Sequence, residues 1–360
     1  MNHKKIHNEQ GFSIIEMVVA VTVMLIVTAS VFSLVKSSLT VTTANYELTD
    51  AQQNLRTAQE FINRDLMNAG DGLKSMTYIP VKTTFVENYL AKFPIVDGAM
   101  PSGVTNLGIL TTDNDVATGT VVPTVPATPP VVITVRPNTD RQTILQLDHN
   151  PSNIAIAIAA GSVDSSGKVV TLPAGTDMTK FNVGEIYFLT SSKGGTFAAI
   201  TSINAGLKQL SFDNGDFCGL NVIGSGGLIN NISALGTLPM ALQRMRIIQY
   251  YIDSNMLLMR RVFGDIGAAF RDSVIAEHVV SVQFVYSLGL DSGGNPVQPT
   301  TQLTTPAQQV AISQVEVNVT VETPHRLSMG NRSLLSSSTS TSLRNMQFRQ
   351  ALQPTASPSP

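Results

Sequence analysis

The sequence predicts an α+β fold in which one long amino-terminal helix packs on a mainly antiparallel β-sheet domain. Three observations carry this. An apolar run extends from Phe12 to Val35, a helical period continues beyond it with no proline before Pro80, and short β-branched runs split by Gly, Pro, Asn, Asp and Ser begin near Tyr78. The 360 residues exceed one average domain, but a single large β-rich unit with a terminal helix and a tail accounts for them. Charged residues make up only 13% and hydrophobic ones 43%, so a sizeable core remains once the first apolar run is set aside.

The run Phe12–Val35 contains one charge, Glu16, and is closed by Lys36. As a helix at about 1.5 Å per residue it is about 36 Å long, enough to cross a hydrocarbon core of about 30 Å. Lys4 and Lys5 lie just upstream, and the positive-inside bias therefore keeps the leader cytoplasmic and sends the chain after Lys36 outward. A secretory signal peptide is a poor fit, because its apolar region is about 7 to 15 residues and ends at a small-x-small site. An ordinary signal anchor fits the length and topology but leaves Glu16 without a reason. A carboxylate inside a membrane segment costs roughly 2.5 to 3.5 kcal/mol and calls for a partner.

The string Gly11-Phe12-Ser13-Ile14-Ile15-Glu16, after a short basic leader and before about twenty apolar residues, resembles the prepilin signature of type IV pilins and type II secretion pseudopilins. The resemblance implies that a prepilin peptidase cuts between Gly11 and Phe12 and methylates the new amino terminus of Phe12. It also implies that Glu16 of an incoming subunit pairs with the Phe12 amine of one already docked. The chemistry is coherent, since cleavage creates a cationic amine at membrane depth that a carboxylate can offset. An internal pair is geometrically possible as well, because the two positions share a helix face.

Past Lys36, the residues Leu48, Ala51, Leu55, Ala58, Ile62 and Leu66 recur at three- and four-residue steps. The helix is expected to run to about Asn68, with Gly70 or Gly72 as its stop, a rod of about 85 Å. Apolar all round at one end and amphipathic at the other, it suits lipid or a helical bundle first and a β domain second. Major pilins often carry a helix-breaking proline within the apolar half, where this chain has Ser33, and the difference favours a minor or initiating subunit. The expected organisation is a cleaved leader 1–11, a transmembrane and filament-core helix 12–35, its amphipathic continuation 36–70, a β-rich domain 71–335 and a flexible tail 336–360.

Within the domain, Val131–Arg136, Ile144–Asp148, Glu185–Ser191, Phe197–Ile203 and Leu207–Phe212 read as strands. Met245–Ile252 and Met256–Phe263 form an expected hairpin around Asp253-Ser254-Asn255, followed by strands at Val279–Ser287 and Val310–Glu322. In the last of these, Val315, Val317, Val319 and Val321 alternate with polar residues, the mark of a half-buried strand. The Pro/Thr-rich stretch 117–130 reads as an extended loop, and the Ser/Thr run from Ser336, with too little apolar content to pack, as part of the tail. The hairpin, with Tyr250-Tyr251 before the turn and Leu258-Met259-Arg260 after it, resembles that of PilW-like minor pilins and the related J-type pseudopilins.

Little in the sequence points to turnover. No nucleophile elbow, phosphate-cradling loop or dinucleotide fingerprint occurs, so an enzyme is not expected, nor is any cofactor. Asp140, Asp148 and His149 are the one acid and base grouping, suggested by spacing alone. The three His residues within the domain, His149, His278 and His325, are isolated in sequence, so zinc is not expected. Asp213–Asp216 and Asp291–Asn295 fall short of a calcium-loop pattern and read as β-turns, so no metal is expected. The single cysteine, Cys218, rules out an internal disulfide and reads as a small buried residue. A net charge of −2 with no basic stripe implies no nucleic-acid partner.

The partners implied by the resemblance are other pilin-like subunits, the prepilin peptidase and methylase, an inner-membrane assembly platform and the lipid bilayer. The expected location is the inner membrane, with a cytoplasmic amino terminus, and then a pilus or pseudopilus. Secretion pseudopilin, DNA-uptake pilin and ordinary anchored exported protein remain as alternatives to a minor pilin.

Overall fold

The computed structural model describes residues 13–73, 76, 78–90, 102–123, 132–150, 153, 155–224, 227–290, 295–325 and 332–343. Two compact units divide the chain, one of Met1–Asp50 with Thr323–Ser333 and one of Ala51–Glu322 with Leu334–Pro360.

The first element, α1, runs unbroken over the 54 residues Ile14–Met67, about 80 Å at about 1.5 Å per residue. With no Gly or Pro inside it, nothing in the sequence interrupts its hydrogen-bond ladder. It stops just before Gly70, whose φ of 76° suits glycine and whose N–H donates to the carbonyl of Leu145 at 2.7 Å.

In the first unit, the residues of α1 from Ile14 to Leu39 that carry large apolar side chains are exposed, Ile14 by 85% and Leu34 by 71%. By length and composition α1 is able to cross a membrane. Farther along, Glu47 accepts both the backbone N–H of His325, at 3.1 Å, and its ring Nδ1, at 2.8 Å.

In the second unit, Ala51, Leu55, Ala58, Ile62 and Leu66 of α1 are buried in the main core, as expected of the amphipathic stripe, whereas Leu48, also expected in that stripe, is only half-buried. Strand β1 (Tyr78–Lys82) pairs with β2 (Val104–Gly108), and a π-helical turn, Val86–Leu90, lies between them in sequence. After β3 (Leu110–Asp113), the short hairpin of β4 (Val121–Pro123) and β5 (Val132–Thr134) replaces part of the expected loop, whose residues 124–130 lie outside the described ones. Then come β6 (Arg141–Leu147), β7 (Ile156–Ile158), β8 (Val169–Thr171), β9 (Ile186–Ser191), β10 (Gly194–Ala199), β11 (Ser202–Asn204) and β12 (Gln209–Ser211). The expected strand Phe197–Ile203 is thus two strands, broken at Ile200 and Thr201.

The organising strand is β13 (Met240–Ile252), which begins five residues before the expected Met245. Its first half pairs with β7 and β9, and its second half with β6 and with β14 (Leu258–Phe263). One strand thereby joins two cores. The main cluster includes Ile247, Ile248 and Tyr250, and a second cluster gathers Leu242 with Leu189, Phe212 and Ile232. Next to β14 lies β15 (Phe270–Ala276), giving the eight-stranded sheet in which β3 also pairs with β6.

A separate three-stranded sheet contains β16 (Val279–Leu288), β17 (Ile312–Glu322) and β18 (Leu334–Ser342), in that order. Val315, Val317, Val319 and Val321 are fully buried, and the polar residues between them face outward. All pairings between these strands are antiparallel.

The strand β18 corrects the reading of Ser336–Ser342 as unpacked tail. Its backbone completes the edge of β17 over nine consecutive pairs, and α1 grips it through polar contacts in place of apolar ones. Gln59 Nε2 donates to the carbonyl of Ser337, while Asn63 bonds the hydroxyls of Thr339 and Thr341. The rest of the expected tail, from Arg344, lies outside the described residues.

Candidate functional site

The amino-terminal end of α1 is organised by Ser13 and Glu16. The helix ladder opens with Met17 N–H donating to the Ser13 carbonyl at 3.1 Å, and Glu16 Oε2 accepts the Ser13 backbone N–H at 3.0 Å. A carboxylate three residues into a helix satisfies one of the otherwise unpaired amides there, and it also meets the positive end of the helix dipole. Glu16 therefore has a local partner in the chain as it stands. Gly11 and Phe12 lie outside the described residues.

Along the apolar half, Thr22, Thr28 and Ser30 donate their hydroxyls to the carbonyls of Val18, Met24 and Ile26. Those bonds satisfy these three hydroxyl protons in an apolar medium, so the outer surface of the helix is largely hydrocarbon. Such a surface can be covered equally by lipid tails or by other helices.

The opposite end of α1 is held by a polar clamp. Asp65, with a side chain only 3% exposed, accepts the phenol O–H of Tyr250 at 2.6 Å and the Nε–H of Arg260 at 2.6 Å. Tyr250 and Arg260 are cross-strand partners on β13 and β14, so the hairpin delivers both groups to one carboxylate. Burial, with Asp65 beside it, pushes the Tyr250 phenol well above its ordinary value. Both residues belong to the hairpin already noted for its tyrosine and arginine. Asp65 was missed, although an acid flanked by Ile62 and Leu66 on the buried stripe is itself a signal.

The other residues singled out by sequence are dispersed. Asp140 binds the backbone N–H groups of Asp115 and Phe284, at 3.0 and 2.7 Å, and burial pushes its carboxyl up to about 6. Asp148 is paired with Arg244 and Arg246, and His149 lies 3.7 Å from Asp71. These three do not form an acid and base pair. Cys218 is buried, its thiol donating to the Ala269 carbonyl, and burial raises it above the ordinary thiol range. In the turn Asp213–Asp216, Asp216 accepts the N–H groups of Leu220 and Asn221, while Asp291–Gly294 lie outside the described residues. Among the described residues no cluster of three His, Cys, Asp or Glu is placed to hold a metal ion.

Residues 6–32 match the model of the prokaryotic N-terminal methylation motif. No curated protein and no solved structure matches the chain. The matched segment takes in the end of the leader, Glu16 and the first half of the exposed helix, and it supports a type IV pilin-like precursor that is membrane-anchored and processed by a prepilin peptidase.

Proposed function

We propose that this chain is a minor type IV pilin of the PilW-like kind, which takes part in starting or building a pilus. Prepilin peptidase cuts it between Gly11 and Phe12 and the Phe12 amine is methylated. The mature chain waits in the inner membrane with its domain outside the cytoplasm, and α1 then moves from lipid into the filament core. Glu16 sets register by pairing with the Phe12 amine of a neighbouring subunit.

The observation that carries this reading is the methylation motif at 6–32 leading directly into a helix whose apolar half has no protein cover. The same surface serves both environments because lipid and a helical core are both apolar. Ser33 and the absence of any proline in α1 support a minor subunit over the bulk one. The clamp at Asp65 fits the reading too, since a subunit extracted by its helix needs that helix held firmly to its domain. Shearing filaments from cells that express a tagged chain tests the assignment. Recovery of the mature chain in substoichiometric amounts, with piliation lost on deletion, is the expected result, and normal piliation without the chain contradicts it.

A further inference from the structure

Four arginines from three adjacent strands converge on one cavity of about 450 Å³. Arg244 and Arg246 come from β13, Arg260 from β14 and Arg271 from β15. The register pairs Ile248 with Val262 and Val262 with Arg271, so side chains two residues away on the same strands share that face. The arginines therefore surround Val262, which also lines the cavity, on strands about 4.8 Å apart.

Their hydrogen-bonding capacity is only partly used. Arg260 directs Nε to Asp65 and Tyr250, and its two Nη groups make no hydrogen bond among the described residues, although the side chain is only 14% exposed. The Arg246 guanidinium is ion-paired to Asp148 through Nη2 at 2.8 Å and makes no hydrogen bond there. Arg271 chelates Asp265 with Nε and Nη2, leaving Nη1.

The three carboxylates that line the same cavity are all engaged. Asp148 is shared by Arg244 and Arg246, Asp265 is held by Arg271, and Glu185 accepts from Arg244, Tyr187 and Asn182. With Asp65 beneath Arg260 the four guanidinium groups meet four carboxylates, so the formal charges balance, and the capacity left unused consists of guanidinium donors.

We propose that this cavity is a binding site for an oxyanion, a tetrahedral sulfate or phosphate group or a planar carboxylate, held by Arg246, Arg260 and Arg271. Guanidinium groups set on a rigid sheet suit such a ligand because their planar forks match its oxygens and their positions are fixed beforehand by Asp65, Asp148 and Asp265. Partial enclosure strengthens the attraction relative to a surface arginine.

Equilibrium binding to the full chain in detergent, at constant ionic strength in chloride, tests the site with two probes, sodium sulfate and N-acetylglutamate. Saturable binding of at least one is expected. The tighter probe distinguishes a free tetrahedral anion from an acidic side chain as the natural occupant. Arg246→Gln and Arg271→Gln, both on partly exposed side chains, should each weaken binding by about five-fold or more, and Lys193→Gln, outside the cavity, should leave it unchanged. Saturable binding of neither probe, or an equal loss in Lys193→Gln, overturns the proposal.

Discussion

Asp65 on the last turns of α1 accepts the Nε–H of Arg260 at 2.6 Å, and this pair ties the helix to the hairpin of β13 and β14. It lies among buried apolar residues, where a carboxylate and a guanidinium are tolerated only together. Asp65→Ala leaves a mostly buried guanidinium without its counter-charge and the Tyr250 hydroxyl without its acceptor. The expected loss is about 3 to 5 kcal/mol in urea unfolding, and Asp65→Asn, which keeps an acceptor, should lose less. A change within about 0.5 kcal/mol for the alanine variant would show that the clamp holds nothing.

The apolar side of the same contact makes a second prediction. Ile62 is fully buried between α1 and the sheets, and its truncation to alanine removes buried hydrocarbon and leaves a void. Ile62→Ala should cost about 2 to 5 kcal/mol by the same measurement. Met67→Ala, on an exposed position of the same helix, should change stability little.

A pH dependence follows from Asp140. Burial raises its carboxyl to about 6 from an ordinary 3.8, so between those values the folded chain holds a proton that the unfolded chain has released. The contribution of this group to stability is complete below the ordinary value and is lost as pH rises through about 6. Its size is about 3 kcal/mol at about 1.36 kcal/mol per unit, with no discount for screening because the residue is almost fully buried. Relative to wild type, Asp140→Asn should therefore gain about 3 kcal/mol as pH is raised from about 2 to about 7. A difference independent of pH would contradict burial of a titrating carboxyl as the cause.

The parts of the fold legible in the sequence are those with a local signature. The lack of proline before Pro80 announced α1, and the valine alternation at 315–321 announced β17. What escaped notice is defined by distant partners. Ser336–Ser342 carries almost no apolar content, and its strand exists because β17 offers an open edge while Gln59 and Asn63 present amides to it. The first residues of β13, Met240–Arg244, lack β-branching and are extended by their pairing with β7 and β9. In β15 the charges of Arg271 and Asp272 hid a strand whose place is set by β14. The candidate site divided in the same way. Glu16 was conspicuous as a carboxylate in an apolar run, whereas the bond to the Ser13 amide and the clamp at Asp65 depend on how the chain folds.

Glu16 makes the fourth prediction. Its bond to the Ser13 amide is worth about 1 kcal/mol of local helix capping, too little to decide whether α1 forms or inserts. Glu16→Ala should leave cleavage and membrane insertion intact while reducing incorporation into filaments. Glu16→Gln separates the two roles, because it keeps a capping acceptor and removes the charge. Full incorporation of the glutamine variant would mean that capping, not pairing with an amine, is what Glu16 provides.

The central claim is that this chain is a processed, pilin-like subunit, and the amino terminus of the mature protein tests it most directly. Intact-mass and amino-terminal analysis of the chain from cells with an active prepilin peptidase should find Phe12 first, carrying one added methyl group. A mature chain that still begins at Met1 in those cells would contradict the account.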